Sequence, residues 1–278
     1  MKRSLTKRIL LGVFLWTVLS IMYLPLLLLV VFSFSETATI SFSNFQFGFG
    51  LWRDMFASQA MMGALFNTIF IASVSAFIAT IIGTMACVGI LNMRKKAKAA
   101  VMNLNNVSFI NADIVTSFSL VILFVTLGMA NIGYFRLIMA HILICIPIVV
   151  LTVLPRLRLL DKDMLDAAVD LGAKPMRAFW SVIVPQLIPA MIGGFLLGFT
   201  LSLDDFIITQ YNKGTVETIS TLVYNATKRG VPATFRALSA LIFGIVIFVL
   251  IIYNIVARKK VKGGKKVKRA TLNVNSRP

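Results

Sequence analysis

Residues 62–91 read MGALFNTIFIASVSAFIATIIGTMACVGIL, a run of 30 residues without a single charged side chain. A helix that crosses the hydrocarbon core of a bilayer needs about 20 mostly apolar residues. The nearest charges are Asp54 and Arg94, which lie well outside the run. The stretch therefore predicts a transmembrane helix.

Similar apolar runs occur on both sides of this stretch. The six predicted transmembrane helices cover residues 9–34, 62–91, 107–130, 134–154, 186–209 and 236–257. Of the 278 residues 58% are hydrophobic and 14% are charged, against about 25% charged residues in a soluble domain. The first run is longer than the roughly 7–15 apolar residues of a signal peptide, so we expect it to stay in the membrane. We predict an all-α integral membrane protein.

The positions of the basic residues predict the orientation of the helices. Cytoplasmic loops retain Lys and Arg, and 22 of the 28 basic residues fall on one side of the predicted helices, together with both ends of the chain. Both termini are therefore predicted to be cytoplasmic. The same segments account for the formal net charge of +18, so the charge reflects topology and does not indicate nucleic-acid binding. The basic tail, 258–278, is expected to lie near anionic lipid.

Residues that could support enzyme chemistry are scarce. The sequence contains no G-x-x-x-x-G-K-[ST] phosphate loop, and a single histidine, His141, excludes a histidine cluster for a catalytic metal. We interpret His141 as a hydrogen-bonded packing residue, with a proton relay as the weaker alternative. Cys87 and Cys145 lie inside predicted helices and indicate neither a disulfide framework nor a metal site. An enzyme active site, a bound cofactor and a metal site are not expected.

One cytoplasmic loop, 155–185, is long enough to have structure of its own. Asp163 can cap a short helix, Gly172 can end it in the left-handed conformation, and Pro175 can open a second helix. We predict two short helices joined by a tight turn. The first has an apolar face and an acidic face, which are Met164, Leu165, Ala168 and Leu171 against Asp163, Asp166 and Asp170. Such a helix can lie on lipid, on its own chain or in a partner; the acidic face disfavours anionic lipid, and we favour a partner.

The same loop resembles the EAA loop of binding-protein-dependent ABC importer permeases. The pattern of that family is E-A-A, three residues, G, nine residues and I-x-L-P. Five positions carry the match here, with Asp in place of the family's Glu: Asp166, Ala167, Ala168, Gly172 and Pro185. In the family this loop forms coupling helices that sit in a cleft of the ATPase subunit. The resemblance implies that these residues couple the chain to an ATPase.

A narrower resemblance, to the PotC-type permeases of spermidine/putrescine importers, covers most of the chain. It is carried by NADIV at 111–115, AHILICIP at 140–147 and FTLSLDDF at 199–206. That family commonly has Pro where this chain has Ala112, so the resemblance leaves open whether the helix 107–130 has a local break. The resemblance implies a type I importer permease fold (MetI-like) in the cytoplasmic membrane of a bacterium. It also implies a second permease subunit, two copies of an ABC ATPase that bind ATP and Mg²⁺, and an extracytoplasmic substrate-binding protein.

Three acids lie inside the predicted helices: Asp113, near the cytoplasmic end of its helix, and Asp204 and Asp205, near the outer end of theirs. An ionisable group at membrane depth costs about 2.5–3.5 kcal/mol, so each is a candidate functional residue. No Lys or Arg lies well inside a predicted helix. An acidic interior suits a polyamine, and it also admits thiamine or a metal cation. The alternatives are a solvated helix end for the pair and a capping role for Asp113.

Two spacing patterns concern helix packing. Gly194, Gly198 and Ser202 recur every four residues, which lets another helix approach closely. If the partner permease packs there, the acids at 204 and 205 lie at or beside the subunit interface. Apolar residues at helical spacing in 213–236, namely Ile219, Leu222, Val223 and Ala226, predict a short amphipathic helix at the outer surface. That helix is either part of a gate and a binding-protein contact or a cover for the bundle.

The sequence therefore predicts a permease subunit of an ATP-driven polyamine importer, working by alternating access and not itself an enzyme. The competing hypothesis is a stand-alone secondary transporter or channel that uses the acids as proton or cation sites. That hypothesis leaves the loop 155–185 unexplained, and the sequence shows no inverted repeat to support it.

Overall fold

The structure is a computed structural model that describes residues 5–37, 40–111, 113–129, 133–160, 163–248 and 251. This part of the chain is helical, apart from one isolated β-bridge between Ser35 and Phe47. The helices are α1 (Leu5–Phe32), α2 (Gly50–Ala57), α3 (Gln59–Asn92), α4 (Lys95–Ile110), α5 (Asp113–Thr126), α6 (Gly133–Arg158), α7 (Asp163–Asp170), α8 (Pro175–Ala178), α9 (Val184–Asp204), α10 (Ile207–Asn212), α11 (Ile219–Arg229) and α12 (Thr234–Phe248). A π-helical turn, Phe179–Ile183, joins α8 to α9. The predicted all-α class is confirmed for these residues.

Several of these helices are long and apolar enough to cross a membrane. Four qualify by themselves: Leu10–Phe32, Gln59–Asn92, Gly133–Arg158 and Phe179–Asp204. The bent pair α4 and α5 is a fifth candidate, and α12 is a shorter apolar helix. The chain is therefore a multi-pass membrane protein. The total of six spans and the cytoplasmic termini stay predictions, and the tail 258–278 lies outside the described residues.

The chain divides into two compact units. One takes both ends of the chain, up to Gln59 and from Gly230, and the other is Ala60–Arg229. The first unit contains α1, whose most apolar window has no buried residue, as a helix surrounded by lipid would have. Stacked aromatic rings follow it, with Phe34 5.5 Å from Trp52 and 6.0 Å from Phe47.

The second unit is built around α6, which packs against α9 and shares a buried core with α3. Small residues permit the close approach: a Cβ atom on Gly194 would lie 3.4 Å from Val149 Cγ1, and one on Gly198 would lie 3.5 Å from Cys145 Cβ. Ser202, the third member of this stripe, is buried as well. The stripe is thus covered by α6 of the same chain and does not face a partner subunit. Consecutive spans are usually neighbours in space, which explains why α6 occupies it.

The helix predicted over 107–130 is broken near its start, because the chain leaves the helical conformation at Asn111. Its backbone is extended, with φ −68° and ψ 137°, and α4 and α5 are bent by 103° relative to each other. The Asn111 side chain donates from Nδ2 to Thr116 Oγ1 over 2.9 Å. Asn side chains compete with helical hydrogen bonds in this way, so an amide and not a proline marks this break. Ala112 lies outside the described residues.

The helix predicted over 186–209 also differs from the structure. The span begins earlier, at Phe179, and ends at Asp204, where Asp205 turns to an extended backbone with φ −65° and ψ 124°. The Asp205 carboxylate accepts the amide hydrogens of Ile208 and Thr209, which starts α10 as a separate helix. A side chain that accepts hydrogen bonds from the backbone amides three and four residues later favours the start of a new helix and disfavours continuation of the preceding one.

Candidate functional site

A cavity of about 940 Å³ lies against the middle of α6, at Leu143, Ile144 and Ile148. Its other walls come from α4, α5, α9 and α10, and they include both of the breaks described above. Ligand pockets for small molecules have volumes of roughly 300–1,000 Å³. The cavity is therefore large enough for a small organic solute.

The polar lining of the cavity is acidic. Seven polar residues contribute to it: Ser108, Asn111, Asp113, Thr116, Thr200, Asp204 and Asp205. Among the described residues, no Lys or Arg belongs to the lining. All three acids singled out in the sequence thus meet at one site. The C-terminal end of α9, which carries the negative end of a helix dipole, lies there too. The site has the electrostatic character of a cation site.

Asp204 and Asp205 are adjacent in sequence but have different surroundings. The Asp205 side chain is 8% exposed, and its Oδ2 accepts from the Thr209 amide over 2.7 Å and from Thr209 Oγ1 over 2.8 Å. These bonds make it a cap for α10. The Asp204 side chain is exposed, and within the described part of the chain it makes no hydrogen bond or ion pair. Asp204 is therefore the carboxylate of the pair that is available to a solute.

Asp113 lies deeper along the span than the sequence suggested. Asn105 of α4 donates from Nδ2 to the carbonyl of Pro147, so α4 already reaches the middle of α6 eight residues before Asp113. The prediction placed Asp113 near the cytoplasmic end because it assigned most of α4 to a loop. Asp113 is exposed in the first turn of α5, where a carboxylate also stabilises the helix dipole.

A buried polar cluster lies behind the acids. His141 of α6 is 2% exposed, with Nδ1 2.6 Å from Ser202 Oγ and Nε2 3.0 Å from Thr209 Oγ1. The prediction of a hydrogen-bonded packing histidine is confirmed. Thr209 was not recognised from the sequence, because a single threonine in an apolar run is not a motif. The only signal was its position four residues after Asp205, which is the reach of a capping carboxylate.

Arg136 is a second functional side chain that the sequence did not single out. It is buried in the first turn of α6, and its Nε donates to the carbonyl of Asn212 over 2.9 Å. Asn212 is the last residue of α10, so a cation lies at the negative end of that short helix. Arg136 and Asp205 therefore hold the two ends of α10 with opposite charges.

The short helix predicted within 213–236 is found as α11, Ile219–Arg229, and its place at the outer surface stays a prediction. The first turn of α11 contacts the break between α9 and α10, where Ser220 Oγ donates to the carbonyl of Asp205 over 3.0 Å. The ring of Tyr224 lies 4.6 Å from the ring of Phe206, which lines the cavity. Movement of α11 would therefore be transmitted directly to the residues beside Asp204.

The loop 155–185 contains two short helices, as predicted, namely α7 and α8. Gly172 ends α7 with φ +87°, in the left-handed region that favours glycine. Its amide donates to the carbonyl of Val169 over 2.8 Å, and the amide of Ala173 donates to the carbonyl of Ala168 over 3.1 Å. These two bonds constitute a Schellman motif. The turn between the helices is therefore set by one glycine.

Two apolar side chains at α7 are exposed in this chain. Leu171 is 90% exposed and Met164 is 41% exposed. Ala167, Gly172 and Pro185 are exposed as well, and Ala168 is half-buried. The side chains of Leu165 and Asp166 and the whole of Asp161 lie outside the described residues. The exposed side chains of Met164 and Leu171 are candidates for contact with a partner.

Comparisons with known proteins agree with this architecture. The family described as "Binding-protein-dependent transport system inner membrane component" matches residues 75–262. The spermidine/putrescine transport system permease protein PotC of Escherichia coli K12 is 32% identical over 259 residues, which cover 92% of this chain and 97% of that protein. The putrescine permease PotI of the same organism is 32% identical over 261 residues, covering 90% and 91%. PotC of Haemophilus influenzae is 29% identical over 248 residues, covering 88% and 95%.

Solved structures show the same fold. A bacterial ABC transporter involved in the import of the acidic polysaccharide alginate aligns with a TM-score of 0.65 and 16% identity, covering 92% of this chain and 95% of that one. The alginate transporter in complex with its alginate-bound periplasmic protein aligns with a TM-score of 0.63 and 18% identity, covering 89% and 91%. The chain belongs to the family of binding-protein-dependent transport system inner membrane components, as a PotC-type permease subunit of an ABC importer.

Proposed function

We propose that this chain carries a polyamine, such as spermidine or putrescine, through the cytoplasmic membrane of a bacterium. The observation that supports this passenger is the acidic cavity, whose charged lining residues are all carboxylates. Two of them, Asp113 and Asp204, are exposed to a solute. The printed names of the PotC and PotI relatives point to the same class of passenger.

The chemistry of the lining favours an organic cation over a bare metal ion. A dehydrated Ca²⁺ ion takes 6–8 oxygen ligands, whereas a primary ammonium group of a polyamine has three N–H donors and needs about three acceptors. Among the described residues no group of three or more His, Cys, Asp or Glu side chains could hold a metal ion. Two carboxylates, hydroxyl oxygens and apolar walls suit a flexible chain with methylene segments between its charges. Thiamine and metal cations remain the alternatives that the experiment below includes.

The exposed surface of α7 supports coupling to an ATPase partner. We infer that Asp166, Ala167, Ala168, Gly172 and Pro185 form the coupling site on this chain. ATP and Mg²⁺ bind in the ATPase, so this chain needs no cofactor of its own. Closure of two ATPase copies would move the α7 surfaces of two permease subunits together, close the cytoplasmic side and open the outer side.

We propose that a substrate-binding protein docks on the extracytoplasmic side of this chain. A structural relative is a transporter in complex with its periplasmic protein, which supports such a partner here. The helix α11 is the described element that links the outer segment 213–236 to the cavity. The assignment of residues 1–257 to the membrane domain and of 258–278 to a tail near anionic lipid belongs to the same proposal.

The proposal is tested with the complete complex in liposomes, with its binding protein present. ATP hydrolysis is measured after addition of spermidine, putrescine, thiamine, Mn²⁺ or sulfate. We expect stimulation by spermidine or putrescine and no stimulation by sulfate. Stimulation by thiamine or Mn²⁺, without stimulation by either polyamine, would show that the transported solute is not a polyamine. Uptake by this chain alone, driven by an ion gradient, would show that it is a secondary transporter.

A further inference from the structure

The break between α9 and α10 is bridged by one side chain from a third helix. Ser202 lies two residues before Asp204 on α9, and Thr209 lies on α10. The imidazole of His141, which belongs to α6, contacts the hydroxyl groups of both over 2.6 Å and 3.0 Å. The two helices on either side of the break are therefore tied to the same rigid ring.

The directions of these hydrogen bonds follow from the Asp205 carboxylate, which is the last acceptor in the series Ser202, His141, Thr209 and Asp205. The Asp205 carboxylate can only accept, so Thr209 Oγ1 donates its hydrogen to Oδ2 over 2.8 Å. Thr209 Oγ1 then accepts from Nε2–H of His141, and in the neutral ring Nδ1 accepts from the hydroxyl of Ser202. A neutral imidazole with its hydrogen on Nε2 therefore satisfies both contacts. Both ring nitrogens are occupied by hydroxyl groups, so His141 offers no free nitrogen atom to a solute.

Asp205, the residue at the break, is held by further hydrogen bonds. Ser220 of α11 donates to the carbonyl of Asp205, and the Asp205 carboxylate caps α10. The Asp204 carboxylate, in contrast, is exposed in the cavity and makes no bond within the described residues. The network therefore fixes the backbone that carries Asp204 and leaves its carboxylate unoccupied.

We propose that His141 is a positioning residue for transport: it clamps the break so that the Asp204 carboxylate projects into the cavity. This inference rests on the proposed function, in which that carboxylate binds the cationic passenger. A rigid ring with two opposed nitrogen atoms fixes the distance between α9 and α10, which a flexible side chain cannot do. A fully satisfied buried network of this kind specifies one arrangement of its helices.

The experiment is a double-mutant cycle on the complete complex in liposomes. Uptake of labelled spermidine is measured for the wild type, His141→Leu, Asp204→Asn and the double variant. We expect His141→Leu to lower uptake about tenfold in the wild-type background and less than about twofold in the Asp204→Asn background. Complex yield, measured in parallel, is expected to stay close to that of the wild type.

A second double-mutant cycle serves as the test if the His141→Leu variant misfolds. Ser202→Ala removes the other end of the clamp and leaves the small-residue stripe intact, so it replaces His141→Leu if that variant does not assemble. If the fold-losses of uptake in the two single variants multiply in the double variant, in both cycles, the two residues act independently. That result would show that the cluster is only structural and would overturn the inference, although the proposed function would stand. A wild-type complex that takes up no polyamine would instead refute the proposed function.

Discussion

Replacement of Gly172 by alanine tests how α7 presents its surface to the ATPase. Gly172 has φ +87°, and nothing lies within 4 Å of the position that a Cβ atom would take. The substitution therefore adds no steric clash and acts only through the backbone conformation. Its effect reports on the Schellman turn that joins α7 to α8.

The magnitude follows from the cost of the left-handed conformation. For a residue with a Cβ atom this conformation costs about 1–2 kcal/mol relative to the right-handed one. If the ATPase binds only the chain with the turn intact, the cost appears as a loss of affinity. At 1.4 kcal/mol for each factor of ten, the expected loss is about 5- to 30-fold.

The assay is a titration of the ATPase onto the purified permease complex in nanodiscs. Gly128→Ala is the matched control, because Gly128 has φ +73° and ends α5 with the same pair of bonds, to Val125 and Phe124. We expect normal ATPase affinity for that control. Wild-type affinity for Gly172→Ala would refute the coupling role of the turn. An equal loss of ATPase affinity for Gly172→Ala and Gly128→Ala would show that both substitutions damage the fold of the permease in general.

Two further predictions concern packing in the unit 60–229. Gly198→Leu is expected to lower the melting temperature in detergent, because the added side chain meets α6 and overpacking typically costs about 1–3 kcal/mol. Arg136→Leu is expected to destabilise α10, because the Asn212 carbonyl loses a charged donor worth about 1.5–3 kcal/mol, and Arg136→Lys is expected to recover part of the loss.

The first of these two predictions has a control in the same unit. Nothing lies within 4 Å of a Cβ atom on Gly63, so Gly63→Leu should leave the melting temperature nearly unchanged. Equal melting temperatures for the two glycine variants would contradict the packing of α9 on α6. For Arg136, an unchanged melting temperature in the leucine variant would contradict its role at the end of α10.

The sequence predicted the parts of the fold that depend on long runs of apolar residues. The span 62–91 is found as Gln59–Asn92, since a run of 30 uncharged and mostly apolar residues can satisfy its backbone hydrogen bonds in lipid as a helix. The left-handed Gly172 was also predictable, because a glycine after an amphipathic segment and before Pro175 is a strong stop signal. Both features are local and need no tertiary contact.

The breaks at Asn111 and Asp205 could not be predicted from hydropathy. Both fall inside apolar runs, and each depends on one short polar side chain that bonds to groups three to five residues on. Whether such a side chain bonds locally or faces the bundle is decided by its neighbours in space. For the same reason the sequence could not distinguish Asp204 from Asp205, although their roles differ in the structure.

The central claim is that Asp204 binds a cationic passenger inside the membrane domain. The most direct measurement is uptake of labelled spermidine by the complete complex carrying Asp204→Asn, with Asp54→Asn, an exposed acid on α2, as the control. Loss of a charged partner worth about 1.5–3 kcal/mol predicts a decrease of about 10- to 100-fold for Asp204→Asn at normal complex yield. Uptake equal to that of the wild type and of the Asp54→Asn control would contradict the account.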